Sequence, residues 1–543
     1  PAMKPIEAVL LVSKKMAAKA TALQAVLKEV SIKAHAVPVP DEHNMAAFET
    51  ILMDIATQRE GQSIALNVTG GNKLMALRFA TGKSSQAFAI ELIRRSLGQA
   101  ADSLKLGDAQ DWRANYRRVF AQLTALETAE ADARMQTALL GQLHRLIVDE
   151  NGKSLAEQIQ LDALQQASAI RTVTVRGLAP AVTLSTIGAP TAEALILNNL
   201  AEPGVRRSLQ VFDELSEGQL NPTQTMIAIG SNAELSLVPE WLSIGGAVIA
   251  VARPNRDKWM HRIAAALASG GSLTVPIRAD RATEFTDPEL QELPIEHLAD
   301  LAGLDLESDL PAIAGWLANL VSQDSTSAYV ALATIYAGGS KQILASAAQD
   351  ALFAALIDRL PPGRLTLGWL ATPLESISAS EELFDARESG FRERGIVTRL
   401  RDGLLRVTLG GPRCPIRQPI LDFSVARQGS SYLLAKRIER WRAASASALG
   451  YQIWLQVAPP AVTHSTVGHK FVRAAFRGAT SFGITSFEPW MLRDLLTASL
   501  LGALKHGESV AYESAIHGGV WRSPYQPDSI WLPATVLGWR GFI

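Results

Sequence analysis

Short apolar runs alternate with amphipathic stretches along most of the chain. "AVLLVS" (8–13) is a continuous apolar run of strand length, and the segment after it, "KKMAAKATALQAVLKEV", places Met16, Leu23, Val26 and Leu27 on one helical face. The unit then recurs. "AHAVPVP" precedes a stretch in which Met45, Phe48, Leu52 and Ile55 keep helical spacing, and "SIALNV" (63–68) is again continuously apolar. Strands and helices alternating at these lengths predict a parallel sheet covered on both faces. From about 84 to 168 the strands give way to helical periodicity, with Trp112, Tyr116, Val119, Phe120 and Leu123 on one face. Alternation resumes near Arg171, with strands predicted at "TMIAIG" (225–230), "AVIAVARP" (247–254), "SLTVPI", "AYVALATIY" (328–336), "LTLGWLATP" (365–373), "LLRVTLGG" (404–411) and "YQIWLQVAPP" (451–460). The expected architecture is α/β throughout: a Rossmann-like domain over 1–83, a helical connector or dimerisation region over 84–168, and a larger doubly wound Rossmann-like domain over 169–543.

Composition narrows the partners. With 543 residues the chain exceeds one ordinary core, and 48% hydrophobic against 19% charged residues is a globular balance. No apolar stretch reaches the roughly 18 residues of a membrane span, so no membrane partner is expected. Lys and Arg number 52 and Asp and Glu 53, for a formal net charge of −1. No global field draws the chain to duplex nucleic acid, and any anion site must be local. The lone cysteine, Cys414, excludes an internal disulfide framework and a Cys-cluster zinc site, and no metal site is predicted. A cytoplasmic setting is the expectation.

Two stretches carry candidate chemistry. In the first, the run ending at Val68 breaks into Thr69-Gly70-Gly71-Asn72-Lys73, and helical periodicity follows at once. The two glycines let main-chain N–H groups approach a ligand, the helix start adds the positive end of its dipole, and Thr69, Asn72 and Lys73 supply hydrogen bonds and a charge. Ser13-Lys14-Lys15 at another strand end has the same character. These parts suit a phosphate-bearing ligand; a tight strand-helix turn is the competing reading. "TGKSS" (81–85) is not a phosphate loop, because the upstream glycine of that motif falls at Leu77. "VLLVSKKM", "SIALNVTGGNKLMAL" and the spacing between them resemble the CARF domain, the CRISPR-associated Rossmann fold of type III CRISPR ancillary effectors, over roughly residues 6–80. The resemblance implies a homodimer that holds a cyclic oligoadenylate across its two-fold axis and so activates a fused effector. Ser13, Lys14, Thr69, Gly70, Gly71, Asn72 and Lys73 would then line the ring.

The second stretch is "SSYLLAKRIERW", where Tyr432 and Lys436 stand at i, i+4 and share a helical face. A nearby ammonium favours phenolate, so that such a tyrosine can exchange a proton with a carbonyl as hydride is transferred. The pair resembles the Tyr-x-x-x-Lys of short-chain dehydrogenases, and the flanking segments "LLRVTLGG" and "YQIWLQVAPPAVTHST" would be the strands bracketing its helix. That resemblance implies NADP or NAD as cofactor. Gly230, Ser231 and Asn232 would meet its diphosphate, Arg253 would read a 2′-phosphate, and Ser424 is the nearest substitute for the family's serine. The chain departs from that family in having one glycine where three are usual, and "LATP" (370–373) in place of an Asn-rich strand end. "YESAIHGGVWRSPYQP" (512–527) reads as a packing segment or lid. The leading expectation is a cyclic-oligoadenylate-gated effector with a reductase-like domain. The alternatives are a stand-alone NADP-dependent oxidoreductase and a C-terminal domain that binds a nucleotide without turning it over.

Overall fold

A computed structural model describes residues 7–13, 33–39, 77–79, 84–129, 133–149, 151–161, 167–181, 190–211, 222–378, 380–416, 418–468 and 470–539. The chain forms two compact units, 1–76 and 77–543. In the first, β1 (Glu7–Ser13) and β2 (Lys33–Val39) run parallel, with Glu7 opposite Lys33 and Ser13 opposite Val39. Ser13 thus ends β1 at its carboxyl edge. Lys14, Thr69, Gly70, Gly71, Asn72, Lys73 and the expected strand 63–68 lie outside the described residues.

In the second unit, β3 (Leu77–Phe79) pairs antiparallel with β4 (Ile147–Asp149). The main sheet contains β5 (Ile170–Arg176), β6 (Thr225–Ile229), β7 (Ala247–Val251), β8 (Ser272–Arg278), β9 (Tyr329–Ala333), β10 (Leu365–Ala371) and β13 (Gln452–Val457). A short antiparallel pair, β11 (Ser376–Ser378) with β12 (Ile420–Asp422), stands apart from it. Among the described residues the helices of ten or more residues are α1 (Ser85–Leu97), α2 (Trp112–Ala129), α3 (Arg134–Leu146), α4 (Arg256–Leu267), α5 (Leu310–Gln323), α6 (Ser340–Ile357), α7 (Glu381–Arg392), α8 (Ile396–Leu409), α9 (Ser430–Ala448), α10 (Lys470–Ala479), α11 (Pro489–His506) and α12 (Pro527–Trp539).

The main sheet runs β13-β10-β9-β6-β7-β8-β5, parallel at every pairing except β5 with β8. Counted from β6, the six parallel strands lie in the order 3-2-1-4-5-6, that of a Rossmann-like sheet, and the order reverses between β6 and β9. Every residue of β9 and β10 is buried, which is why both read as predominantly apolar runs. Trp241, Trp259 and Trp454 are buried within a core cluster shared by β6, β7, β8 and the helices over them.

The stretch 84–168 does form helices, but they belong to the larger unit. Arg437 of α9 donates to Glu127 of α2 at 2.9 Å, and Trp441 Nε1 donates to the same carboxylate at 2.7 Å. Arg442 of α9 and His144 of α3 converge on Asp350 of α6, with Arg442 donating at 2.7 and 2.9 Å and His144 Nε2 lying 2.8 Å away. All these charges are largely buried, so each needs its partner, and the connector is fixed to the sheet through α9.

One expected strand is corrected. "LLRVTLGG" is the second half of α8, closed by Gly410 at φ 65°. The periodicity that decides this lies upstream, where Ile396, Leu400 and Leu404 already follow helical spacing; the window from Leu404 alone hid it.

Candidate functional site

Ligands of doubly wound sheets lie beyond the carboxyl ends of the strands where the order reverses, here the ends of β6 and β9. β6 runs into Gly230, whose φ is +84°. A Cβ there would stand 2.7 Å from the Thr334 carbonyl oxygen. Thr334 in turn donates its amide to Ile229 at 2.9 Å and its hydroxyl to the Gly230 carbonyl at 3.1 Å. Gly230 is therefore explained by the close approach of two strand ends. Beyond it, the Ser231 hydroxyl and both amide atoms of Asn232 are buried without a hydrogen-bond partner. Leaving such a group unmet costs about 1–3 kcal/mol, which a ligand that opened this strand end would recover.

The opposite wall is the loop from Ile335 to Lys341, which the sequence reading did not single out. Gln342, buried, accepts from the Ala337 amide and donates to the Ile335 carbonyl at 3.3 Å, bracing the loop. Gly338 and Gly339 have open space where a side chain would stand, and Gly339 has φ +61°. α6 starts at the next residue with no side-chain cap; the Gln342 amide turns back to the Gly339 carbonyl at 3.2 Å, and those of Ser340 and Lys341 precede the first helical acceptor. Lys341 makes no hydrogen bond or ion pair with any described residue, and Tyr336 is 69% exposed. Free amides, a helix start and an unpaired ammonium together favour a phosphate. The signal was present in the sequence: Gly338-Gly339-Ser340-Lys341 repeats the Gly-Gly-x-Lys spelling of residues 70–73 after an apolar strand.

Arg253 lies two residues past β7, within 3.0 Å of Glu307 and 3.8 Å of Asp305. A 2′-phosphate there would compete with two carboxylates already facing the guanidinium.

The Tyr432–Lys436 pair lies on α9, between β10 and β13 in the chain, so its helix does lead into the sixth strand. Lys436 Nζ donates to the Leu370 carbonyl at 2.9 Å and to Glu439 at 2.9 and 3.1 Å, and stands 5.9 Å from the Tyr432 ring centre. Burial raises the Tyr432 phenol above its ordinary pKa, while Lys436 and a hydrogen bond with Thr372 pull the other way. Burial also opposes the Lys436 charge, but Glu439 and Tyr432 outweigh it and its pKa is raised. Glu439 is pushed up to about 6 by burial, with Lys436 opposing. Tyr432 is therefore protonated at neutral pH: it can give a proton and is poorly placed to take one.

Ser424 is not the hydroxyl that joins this pair. It donates to Asp422 at 2.5 Å and accepts from Arg117 at 2.9 Å, within an ion-pair network that also holds Asp528. The hydroxyl at Tyr432 belongs to Thr372, just past the end of β10, which also accepts from Gln428 at 3.4 Å. Thr372 belongs to "LATP", and the β11–β12 pair, α7 and α8 separate it from Tyr432 in the chain.

The segment 512–527 is pinned by structural contacts. His517 is completely buried, lies 3.0 Å from Glu202 through Nε2, and accepts the Gly519 amide at Nδ1. Arg522 donates to the same glutamate, and Trp521 Nε1 donates to the Pro373 carbonyl. Among the described residues no group of three His, Cys, Asp or Glu side chains is placed to hold a metal ion, and no helix is long and apolar enough to cross a membrane. No protein-family model matches the chain, and no curated protein matches it.

Proposed function

We propose that this protein is a ligand-gated effector of type III CRISPR defence, in which a CARF-like N-terminal unit binds a cyclic oligoadenylate and regulates a nucleotide-binding, reductase-like C-terminal unit. The observation that carries the C-terminal half is the crevice between β6 and β9. What supports it is the 3-2-1-4-5-6 strand order, the unmet polar atoms of Ser231 and Asn232 just past β6, and the Gly338–Lys341 loop just past β9. These residues suit the diphosphate of NAD or NADP. Such a cofactor, when bound, supplies hydride. The chain's own part would be Tyr432 as proton donor, with Thr372 orienting the phenol and Lys436 holding α9 to the end of β10. The N-terminal half rests on Ser13 at the carboxyl end of β1 and on the sequence of residues 69–73.

Calorimetric titration of the full chain with cyclic tetra- and hexa-adenylate, and in parallel with NADH and NADPH, tests both halves. One ring should bind per two chains, and Lys73→Ala should abolish that binding alone. Dinucleotide should bind independently and be weakened by Lys341→Glu. Dinucleotide binding without ring binding would support the stand-alone oxidoreductase, and binding of neither would remove the proposal.

A further inference from the structure

One face of a helix on the insertion between Thr372 and Tyr432 is left uncovered by the described residues. On α8, Ile396, Leu400, Leu404 and Val407 follow the i, i+4, i+8, i+11 spacing of one helical stripe, with Val397 beside them. They are 77, 71, 66, 87 and 81% exposed in the order Ile396, Leu400, Leu404, Val407 and Val397. The opposite face holds the helix to the unit: Asp402 and Leu405 are buried there, Leu409 packs against the same cluster as Leu405, and Arg401 donates to the Ser481 carbonyl at 3.0 Å. A row of five large aliphatic side chains this exposed on a helix of about 21 Å marks an interaction surface.

Charge decides between occupants. Residues 392–417 contain seven arginines (392, 394, 399, 401, 406, 413 and 417) against Glu393 and Asp402, so 7 − 2 gives +5 in a chain whose total is −1. The one acid on α8 is turned inward, where Asp402 takes Arg401 at 2.7 Å, Arg394 at 3.3 Å and the Tyr525 hydroxyl at 2.9 Å. Arg399 and Arg406 stay exposed beside the stripe; Arg399 donates to the Arg392 carbonyl, and Arg406 has no hydrogen bond or ion pair with a described residue. A second copy is disfavoured, because antiparallel pairing about the centre of the stripe brings Arg399 of one copy towards Arg406 of the other with no exposed acid on the helix between them. Nucleic acid would use the arginines but leave the aliphatic row in water.

We propose that α8 docks on an anionic phospholipid bilayer, lying in the interface with the aliphatic stripe immersed and the arginines at the headgroups. This is a surface contact, compatible with the absence of a spanning helix among the described residues. Flotation of the full chain with vesicles tests it, comparing phosphatidylcholine alone with phosphatidylcholine containing about 30% phosphatidylglycerol. The chain should float with the anionic vesicles only. Leu400→Glu with Leu404→Glu should lower partitioning more than tenfold at unchanged circular dichroism, and Arg399→Ala or Arg406→Ala should each lower it about fivefold. Failure to float with anionic vesicles overturns the proposal, as does equal flotation of the double variant. A wild-type dimer that the same double variant dissociates, measured by light scattering, would give the stripe to a second copy and overturn it equally.

Discussion

Asp350 offers a quantitative test of how the helical region joins the sheet. It is completely buried on α6 and faces Arg442 of α9 and His144 of α3. Burial pushes its carboxyl up, but Arg442 and His144 outweigh this and hold it down to about 2, against 3.8 for the free group. That depression favours the ionised form in the folded protein by about 2 kcal/mol. Asp350→Asn forfeits that interaction and leaves the Arg442 guanidinium buried against a neutral amide, so a loss of about 3 kcal/mol is expected, approaching the 3–5 kcal/mol of a broken buried ion pair. Because the depressed group is an acid, its contribution is complete above pH 3.8 and disappears as pH falls towards about 2. All 11 tryptophans lie in the larger unit, so urea unfolding followed by tryptophan fluorescence reports on it alone. The midpoint should fall by about half a molar at neutral pH, and the gap from wild type should close under acid. A midpoint unchanged at neutral pH, or a gap indifferent to pH, would refute the coupling.

Further outcomes are expected at the site. Tyr432→Phe and Thr372→Val should each lower NADPH-dependent carbonyl reduction by about 10²–10⁴, while Ser424→Ala should leave kcat unchanged; steady-state kinetics separates them. Lys341→Glu should raise the Kd for NADPH at least tenfold, about 1.4 kcal/mol, without shifting Tm, because the side chain has no partner to lose among the described residues. Burial holds the His517 imidazole below its ordinary 6.5 despite Glu202. The unfolded chain therefore takes up the proton first, and the stability tied to this group falls as pH drops below 6.5. Thermal denaturation at neutral and mildly acidic pH should show the drop in wild type and a smaller one in His517→Gln.

The fold was legible where strands are buried on both faces. β6, β7, β9, β10 and β13 each stand out as mostly apolar runs because parallel strands under helices leave few polar positions, and the observed strands fall within the expected stretches. α8 was misread for a related reason: four apolar residues in a six-residue window fit a strand as well as a helix, and only Ile396 and Leu400 upstream settle the period. The Tyr432–Lys436 pair was visible because i, i+4 spacing is local. Its hydroxyl partner was not, since Thr372 and Tyr432 are brought together by β10 and α9 across the intervening insertion. Glu439, three residues past Lys436, was equally in view, but that it would consume the lysine's charge depends on burial, which no spacing reveals. The Gly338–Lys341 loop gained meaning only once the strand order put β9 beside β6.

Hydrogen–deuterium exchange of the full chain with and without saturating NADPH tests the central claim most directly. The account predicts slowed exchange at 229–235 and 334–342, the two walls of the crevice, with Lys341→Glu needing at least tenfold more NADPH for the same protection. Protection confined to other strand ends, or none at concentrations where calorimetry shows binding, would contradict it.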